Sequence, residues 1–373
     1  MTAGTPPGAA RLDGLDGLDG LDGLDGLDAR IRLSRGVTEI DVALTAGPGE
    51  VIGVLGPNGG GKTSTVLALA GVLPLASGHV RVDGAVWDDG RRRLPPDRRR
   101  VGLMLADSLL FPHLRAVDNV AFGPRSRGVD RAGARRRALA ELDRVGLADR
   151  AQARPRELSS GQQARVALAR ALATDPALLL LDEPLAALDP DTRARTRSDL
   201  ATRLAAYGGV TVLVTHDPLD ALTLADRLVF VEDGQVTQTG TPAQVLGEPR
   251  SAYVGTVVGL NLYAARGDAH GHVTTETGGV LVTTDPTEGA VWATIPPGAV
   301  SLHRHEPEGS PRNAWALRIR SVTMQGQSAR VGLEGVVPLT AEVTLESVTA
   351  LGLQVGQDVW AAVKATEVRT YPR

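Results

Sequence analysis

Apolar residues form short consecutive runs in the first two thirds of the chain. Residues 51–55, 177–181 and 210–214 are largely apolar, which is typical of parallel strands buried on both faces. Helical spacing of apolar residues marks 64–73, and hydroxyl residues suited to helix capping follow Leu158. Buried strands that alternate with helices predict an α/β domain.

Strict alternation of apolar and polar residues indicates additional antiparallel strands. Residues 30–49 predict two strands joined by a turn near Arg35-Gly36. Residues 228–237 predict a hairpin with its turn at Asp233-Gly234. After about Pro249 the helical periodicity disappears, and short strands separated by Gly, Pro and Asn predict one or two small β-barrels. We therefore predict an α/β domain over 30–249 and an all-β domain over 250–373.

A three-residue repeat sets residues 1–29 apart from the predicted domains. Leu-Asp-Gly occurs five times between Leu12 and Gly26, and Leu27-Asp28 follows. This period places the leucines on no single helical face, and a glycine in every triplet opposes a helix. We predict an acidic, disordered tail, with a specific docking segment as the alternative.

Composition excludes several classes of protein. The net charge of −3 gives no sign of nucleic-acid binding, and the arginine-rich segment 91–100 is interpreted as a solvated loop. The chain has no cysteine, which excludes disulfides and thiolate metal sites and suits a reducing cytoplasm. No apolar stretch approaches the roughly 20 residues of a transmembrane helix. If the protein acts at a membrane, a partner must supply the membrane part.

The most specific chemistry lies in residues 56–63, a complete G-x-x-x-x-G-K-[ST] loop between a predicted strand and a predicted helix. Glycines let backbone N–H groups close around phosphate oxygens, and the helix N-terminus favours anions. Lys62 is predicted to reach the β- and γ-phosphates of a nucleoside triphosphate, and the Thr63 hydroxyl to hold Mg²⁺. The candidate binding residues are Gly56, Pro57, Asn58, Gly59, Gly60, Gly61, Lys62, Thr63 and Ser64.

Two further strand ends carry polar residues. Asp182 and Glu183 follow the apolar run 177–181, and His216 follows 210–214, at the edge where α/β sheets place ligands. With the phosphate loop, these residues resemble the nucleotide-binding subunit of an ATP-binding-cassette (ABC) transporter. The resemblance covers Arg30 to about Leu246 and also rests on 158–162 (Leu-Ser-Ser-Gly-Gln), 178–184 (Leu-Leu-Leu-Leu-Asp-Glu-Pro) and 187–189 (Ala-Leu-Asp).

The resemblance implies a P-loop NTPase fold with a core, a small antiparallel β-subdomain and a helical subdomain. It implies that Asp182 supports Mg²⁺, that Glu183 orients the attacking water and that His216 contacts the γ-phosphate, with Lys62 completing the catalytic set. It also implies a homodimer in which one subunit completes the nucleotide site of the other. The residues expected there are Ser159, Ser160, Gly161, Gln162 and Asp189.

Three positions depart from the family pattern. Ala106 stands where the family normally has a glutamine that contacts Mg²⁺ and water. Ser160 replaces the first glycine of the signature. No aromatic residue for adenine stacking lies between Arg30 and Glu50, and Val37 is a candidate for an aliphatic replacement. We therefore expect ATP hydrolysis at a reduced rate.

The C-terminal segment from about Ser310 to Tyr371 resembles the molybdate-binding Mop module. A tetrahedral oxyanion needs cations and hydrogen-bond donors, and the matching positions supply both. A purely structural barrel is the alternative. The candidate oxyanion ligands are Ser310, Arg312, Asn313, Thr344 and Lys364.

The leading hypothesis is an ATPase that energises import of an oxyanion, most simply molybdate. Its expected partners are membrane permease subunits, a substrate-binding protein and a second copy of the chain, at the cytoplasmic face of the membrane. Import of sulfate, iron, sugar or polyamine is the alternative within this class. Outside it, the alternatives are a soluble ABC ATPase that acts on ribosomes or DNA and a weakly active nucleotide-binding regulator.

Overall fold

The computed structural model describes residues 25–373, and these form two compact units. The first unit contains residues 25–52 and 63–213, and the second contains Gly53–Lys62 and Val214–Arg373. The division passes through two strands of the α/β part of the chain. It differs from the predicted boundary at residue 249, which stays a prediction.

Antiparallel strands open the first unit. They are β1 (Leu27–Arg35), β2 (Thr38–Ala46), β4 (Ser77–Val82) and β5 (Ala85–Asp88), in the order β5-β4-β1-β2. The predicted hairpin around Arg35-Gly36 is confirmed, because β1 and β2 pair from Leu27↔Ala46 to Arg35↔Thr38.

A second group of strands carries the buried apolar runs. It contains β3 (Val51–Leu55), β6 (Val101–Met104), β7 (Leu178–Asp182) and β8 (Val210–Val214), in the order β3-β8-β7-β6. Every residue of β3, β7 and β8 is buried, as predicted for strands covered on both faces. Strands β6 and β7 are parallel.

Five helices accompany these strands. They are α1 (Lys62–Leu69), α2 (Ala116–Ser126), α3 (Arg131–Arg144), α4 (Ser160–Leu172) and α5 (Pro190–Ala205). The chain turns at Gly128 between α2 and α3, and Asp130 caps α3 by accepting from the Gly133 N–H. Among residues 25–373, no helix is long and apolar enough to cross a membrane.

The second unit begins with the predicted hairpin. Strands β9 (Arg227–Glu232) and β10 (Gln235–Gly240) pair around Asp233-Gly234, and β9 lies beside β3. Three short helices flank it, α6 (Pro218–Leu224), α7 (Pro242–Gly247) and α8 (Ala252–Val258).

Two five-stranded sheets build the C-terminal part, and the predicted all-β architecture is confirmed. The first sheet has the order β13-β12-β11-β14-β20 and the second β15-β19-β16-β17-β18. Apolar residues of both sheets share one core that includes Tyr263 and Trp315. The strands are β11 (Asn261–Gly267), β12 (His272–Thr275), β13 (Val280–Val282), β14 (Gly289–Ile295), β15 (Ser301–His303), β16 (Asn313–Gln325), β17 (Ser328–Glu334), β18 (Leu339–Thr344), β19 (Asp358–Val363) and β20 (Arg369–Pro372).

Two short helices in this part correct the prediction that helical structure ends near Pro249. They are α8 and α9 (Leu345–Leu351), each seven residues long. Two turns are too short to show a 3.6-residue period. The sequence does contain the capping residues of both helices. Ser251 and Thr344 cap the starts, and Gly259 and Gly352 adopt the left-handed conformation at the ends.

The end of the Leu-Asp-Gly repeat is ordered. Residues 1–24 of the predicted tail lie outside the described residues, but Leu27 and Ala29 are buried in β1. Gly26 is held by two hydrogen bonds with Asp83. The predicted tail over 1–29 is therefore too long at its C-terminal end, because the last leucine of the repeat supplies core surface to β1.

Candidate active site

The phosphate loop leaves the buried strand β3 through a tight backbone contact. Gly56 has φ +156°, and a Cβ atom there would lie 1.9 Å from the Val231 carbonyl oxygen. Only glycine fits this approach. Within the loop the Gly60 N–H donates to the Pro57 carbonyl at 3.1 Å, and the Gly60 carbonyl accepts from the Gly234 N–H. The hairpin between β9 and β10 therefore fixes the loop conformation.

Lys62 folds back over this loop. Its Nζ donates to the carbonyl oxygens of Gly56 at 2.7 Å and Pro57 at 2.8 Å, and the residue is only 9% exposed. Carbonyl dipoles offset part of the cost of burying an ammonium group. The charge is thus held against the loop that is predicted to bind phosphate.

In the first unit, Thr63 and Asp182 are brought together from positions 119 residues apart. The Thr63 hydroxyl donates to Asp182 Oδ2 at 3.0 Å, and Asp182 is 4% exposed at the end of β7. A hydroxyl and a carboxylate are the hard oxygen donors that Mg²⁺ prefers, and Mg²⁺ is commonly held through one or two protein ligands. The donor set fits the predicted metal.

Glu183 has an unusual backbone conformation. Its φ is +54°, although it precedes Pro184 and is not glycine. The left-handed region is rare for such a residue, and strain of this kind concentrates at functional sites. The Ala186 N–H donates to the Glu183 carbonyl, so a turn fixes the conformation in which the chain leaves β7.

The predicted signature segment forms a capping box at the start of α4. Ser159 Oγ accepts from the Gln162 N–H at 3.3 Å, and Gln162 Oε1 accepts from the Ser159 N–H at 3.0 Å. The Ser160 hydroxyl donates to the Ala187 carbonyl. A Cβ atom on Gly161 would lie 2.8 Å from Leu188 Cδ2, so this position favours glycine.

Asp189 and His216 lie beside helix starts. Asp189 caps α5 and accepts from the Thr192 N–H at 3.0 Å, and this hydrogen bond lowers the pKa of the carboxyl group. His216 is exposed between β8 and α6, where the neighbouring Asp217 caps α6. Helix capping accounts for Asp189 within one subunit, and its contact with nucleotide stays a prediction.

Two arginines that contact residues of α1 were missed in the sequence. Arg99 is 1% exposed and donates to the carbonyl oxygens of Ala68 and Leu69 at the C-terminal end of α1. Arg35 Nη1 donates to Ser64 Oγ at 3.1 Å. The sequence of residues 30–100 contains many arginines and does not indicate which of them is buried or bonded. The carbonyl and hydroxyl groups that accept from Arg99 and Arg35 approach these side chains only in the folded chain.

The five candidate oxyanion ligands do not form one site within a chain. Asn313 is buried, and its amide accepts from the Val282 N–H at 2.6 Å and donates to the Val282 carbonyl at 2.9 Å. Thr344 pairs with Ser328, which in turn pairs with Gln325 at the C-terminal end of β16, whereas Asn313 begins that strand. Thr344 also caps α9. Asn313 therefore joins β16 to β13, and Thr344 stabilises the start of α9.

The remaining candidates are exposed. They are Ser310, Arg312 and Lys364. Arg312 precedes Asn313 and Lys364 follows Val363, and Asn313 pairs with Val363 in the register of β16 and β19. That register brings the two cations to the same end of neighbouring strands. Anion binding by this pair stays a prediction.

Comparisons with known proteins decide the family. The ABC transporter family model matches residues 40–186, and the TOBE domain model matches 309–370. The molybdenum import ATP-binding protein ModC of Mycobacterium tuberculosis (strain CDC 1551 / Oshkosh) is 41% identical over 347 residues, which cover 89% of this chain and 94% of that protein. This chain belongs to the ABC transporter family.

Other relatives are named as importers of different substrates. The Fe(3+) ions import ATP-binding protein FbpC of Streptomyces coelicolor is 37% identical over 82% of this chain and 92% of its own length. The sulfate/thiosulfate import ATP-binding protein CysA 2 of Chromobacterium violaceum is 36% identical over 90% of this chain and 92% of that protein. The chain is therefore the ATPase of an ABC importer, an enzyme coupled to transport.

A solved structure supports the fold of the α/β part. A dimeric, post-hydrolysis state of the ATP-binding cassette MJ0796 bound to ADP and Pi matches with a TM-score of 0.52 and 28% identity. The match covers 58% of this chain and 98% of that cassette. The predicted P-loop fold followed by an all-β C-terminal domain is confirmed, and the family model identifies the latter as a TOBE domain.

Proposed function

We propose that this ABC importer ATPase energises the uptake of molybdate. The observation that supports this substrate is the 41% identity to the molybdenum import protein, which extends over 89% of the chain and so includes the C-terminal part. The iron and sulfate relatives that match over 82% and 90% of the chain have lower identities of 37% and 36%. An iron or sulfate importer is the alternative that the test must separate.

In the proposed cycle, the phosphate loop and Lys62 bind the phosphates of ATP. Thr63 and Asp182 would hold Mg²⁺, which would neutralise charge on the phosphates. Glu183 orients the attacking water, and His216 contacts the γ-phosphate. Because phosphoryl transfer needs little covalent help, positioning and charge stabilisation supply the rate enhancement.

We propose that two copies of the chain act together at the cytoplasmic face of a membrane permease. Residues 159–162 form the start of α4, and a helix N-terminus of this kind favours an anion such as the phosphate bound by the second copy. Asp189, at the start of α5, takes part in the same contact. A substrate-binding protein delivers the cargo to the permease.

The test measures uptake of radiolabelled molybdate in cells that lack this gene and in cells that carry it again. Restoration by the wild-type chain is expected. Glu183→Gln, which keeps the side-chain size but removes the charge, should lower hydrolysis by roughly 10²-fold or more and fail to restore uptake, while ATP binding survives. Glu308→Gln, at an exposed carboxylate of the C-terminal part, is the matched control.

Sulfate and iron uptake are measured in the same cells. Loss of sulfate or iron uptake with normal molybdate uptake would reassign the substrate without removing the ATPase. Full hydrolysis by Glu183→Gln would exclude that residue from the proposed mechanism.

A further inference from the structure

A cavity of about 250 Å³ lies in the first unit between the end of α3, helix α4 and helix α5. Four arginines line it, Arg144, Arg165, Arg195 and Arg203, whereas Asp199 is the acidic residue in its wall. Glu141 supplies one further negative charge by forming ion pairs with Arg144 and Arg203. Positive charge therefore exceeds negative charge around the cavity, four groups against two.

Two guanidinium nitrogens at this cavity are buried without a partner. Arg165 Nε and Arg203 Nη1 have no hydrogen-bond acceptor within the part of the chain that the structure describes. Burying a donor without an acceptor costs about 1–3 kcal/mol, and more for a charged group. Ordinary packing therefore leaves one N–H group on each of two arginines that line the cavity without an acceptor.

Two of the four arginines, Arg165 and Arg203, are held in position before any ligand enters. Arg165 Nη1 donates to the Val145 carbonyl at 3.0 Å, at the C-terminal cap of α3. Arg203 is held by Glu141, and its side chain is 16% exposed. Guanidinium groups that are already ordered lose less entropy when an anion binds.

We propose that this cavity binds a multivalent oxyanion such as phosphate. Planar guanidinium groups donate pairs of N–H bonds to oxyanions, and the excess of arginines disfavours a cation. One water molecule takes about 30 Å³ in the liquid, so the cavity has room for a small tetrahedral anion together with water. The site is separate from the phosphate loop and goes beyond the proposed transport function.

A bound anion would join α4 to α5. Arg165 lies on α4, which begins at the predicted signature, and Arg195 and Arg203 lie on α5, which begins after Asp189. Because the ligand contacts both helices only in the folded chain, it stabilises that state according to its concentration and Kd.

The test uses the full chain with Lys62→Ala, which weakens phosphate binding by the loop and so lowers its share of the signal. Thermal unfolding and calorimetry follow titration with phosphate, pyrophosphate and molybdate at constant ionic strength, with chloride as the reference anion. A saturable rise in Tm and a measurable heat are expected for at least one oxyanion. A preference for phosphate or for molybdate distinguishes a cellular phosphate ligand from the type of ion that the importer carries.

Variants locate the binding. Arg165→Gln should weaken binding by about tenfold or more, since a charge-assisted hydrogen bond contributes about 1.5–3 kcal/mol. Arg195→Gln removes an exposed cavity arginine, so it keeps the test valid if Arg165→Gln does not fold. Arg135→Gln, exposed on α3 and outside the cavity, is the matched control and should bind like the parent.

Three results would overturn the proposal. One is the absence of saturable binding up to about 20 mM of any of the three anions, which would mean that the cavity holds only water. Another is unchanged affinity in both cavity variants, which would place the binding elsewhere. An equal loss in Arg135→Gln would reduce the effect to general charge.

Discussion

Arg35 occupies the end of β1, where the family resemblance calls for an aromatic residue that stacks on adenine. Val37, the candidate from the sequence, lies fully exposed in the turn with 103% of its reference surface accessible. The Arg35 guanidinium instead reaches Ser64 at the start of α1. Guanidinium planes stack on bases, so Arg35 is the better candidate for adenine contact.

We predict that Arg35→Ala weakens ATP binding by about 5- to 150-fold, the range that corresponds to the 1–3 kcal/mol of base stacking. Arg35→Tyr should restore most of the affinity, because an aromatic ring can stack in the same place. Arg32→Ala, an exposed arginine of the same strand, is the control. Titration with a fluorescent ATP analogue measures the affinities, and an Arg35→Tyr chain that binds as poorly as Arg35→Ala would contradict stacking.

Individual site residues could be predicted from the sequence where their interactions are with residues nearby in the chain. The phosphate loop and the Ser159–Gln162 capping box depend on residues within a few positions of each other, so their spacing is diagnostic. The Thr63–Asp182 contact was inferred only through the family resemblance. The hydrogen bonds between the Asn313 side chain and the Val282 backbone could not be predicted from the sequence. The two residues are 31 positions apart, and no local sequence pattern connects them.

Helix α1 depends on a buried arginine for its C-terminal end. Arg99 donates to the carbonyls of Ala68, Leu69, Leu94 and Trp87 and to the Asp88 carboxylate. Burial lowers the pKa of the guanidinium group, and the Asp88 charge opposes that shift. These contacts satisfy carbonyls that the helix cannot satisfy itself.

We predict that Arg99→Met lowers the free energy of unfolding by about 3–5 kcal/mol, because Asp88 and several carbonyls lose their buried partner. Chemical denaturation with circular dichroism measures the change. Arg98→Met, at the exposed neighbouring position, should change stability by less than about 0.5 kcal/mol. Similar losses in both variants would show that the buried contacts are not the cause.

Elements differed in how well they could be predicted. The buried strands β3, β7 and β8 were found because consecutive apolar residues need cover on both faces. Helices α8 and α9 were missed because periodicity needs more than two turns. Pairing of the C-terminal strands into two sheets depends on contacts between distant segments, which alternation alone does not specify.

The segment after β6 contains Ala106, where the family pattern has a glutamine that contacts Mg²⁺ and water. Because this contact is missing, the family resemblance implies weaker coupling between ATP hydrolysis and transport. Ala106 is exposed in the turn, and Ser108 and Leu109 both have positive φ angles. Arg170 of α4 donates to the carbonyls of both residues, which fixes this turn against the signature helix. The backbone is therefore ordered although the glutamine side chain of the family pattern is absent.

We predict that Ala106→Gln raises permease-stimulated hydrolysis by about two- to tenfold, the effect of one hydrogen bond of about 0.5–1.5 kcal/mol. Basal hydrolysis should rise less, and ATP affinity should barely change, because the phosphate loop is untouched. Ala106→Leu, which adds bulk without an amide, is the control. Hydrolysis is measured with and without permease in lipid vesicles. If the permease stimulates wild type and Ala106→Gln equally, the ordered turn already provides coupling, and the missing amide does not limit transport.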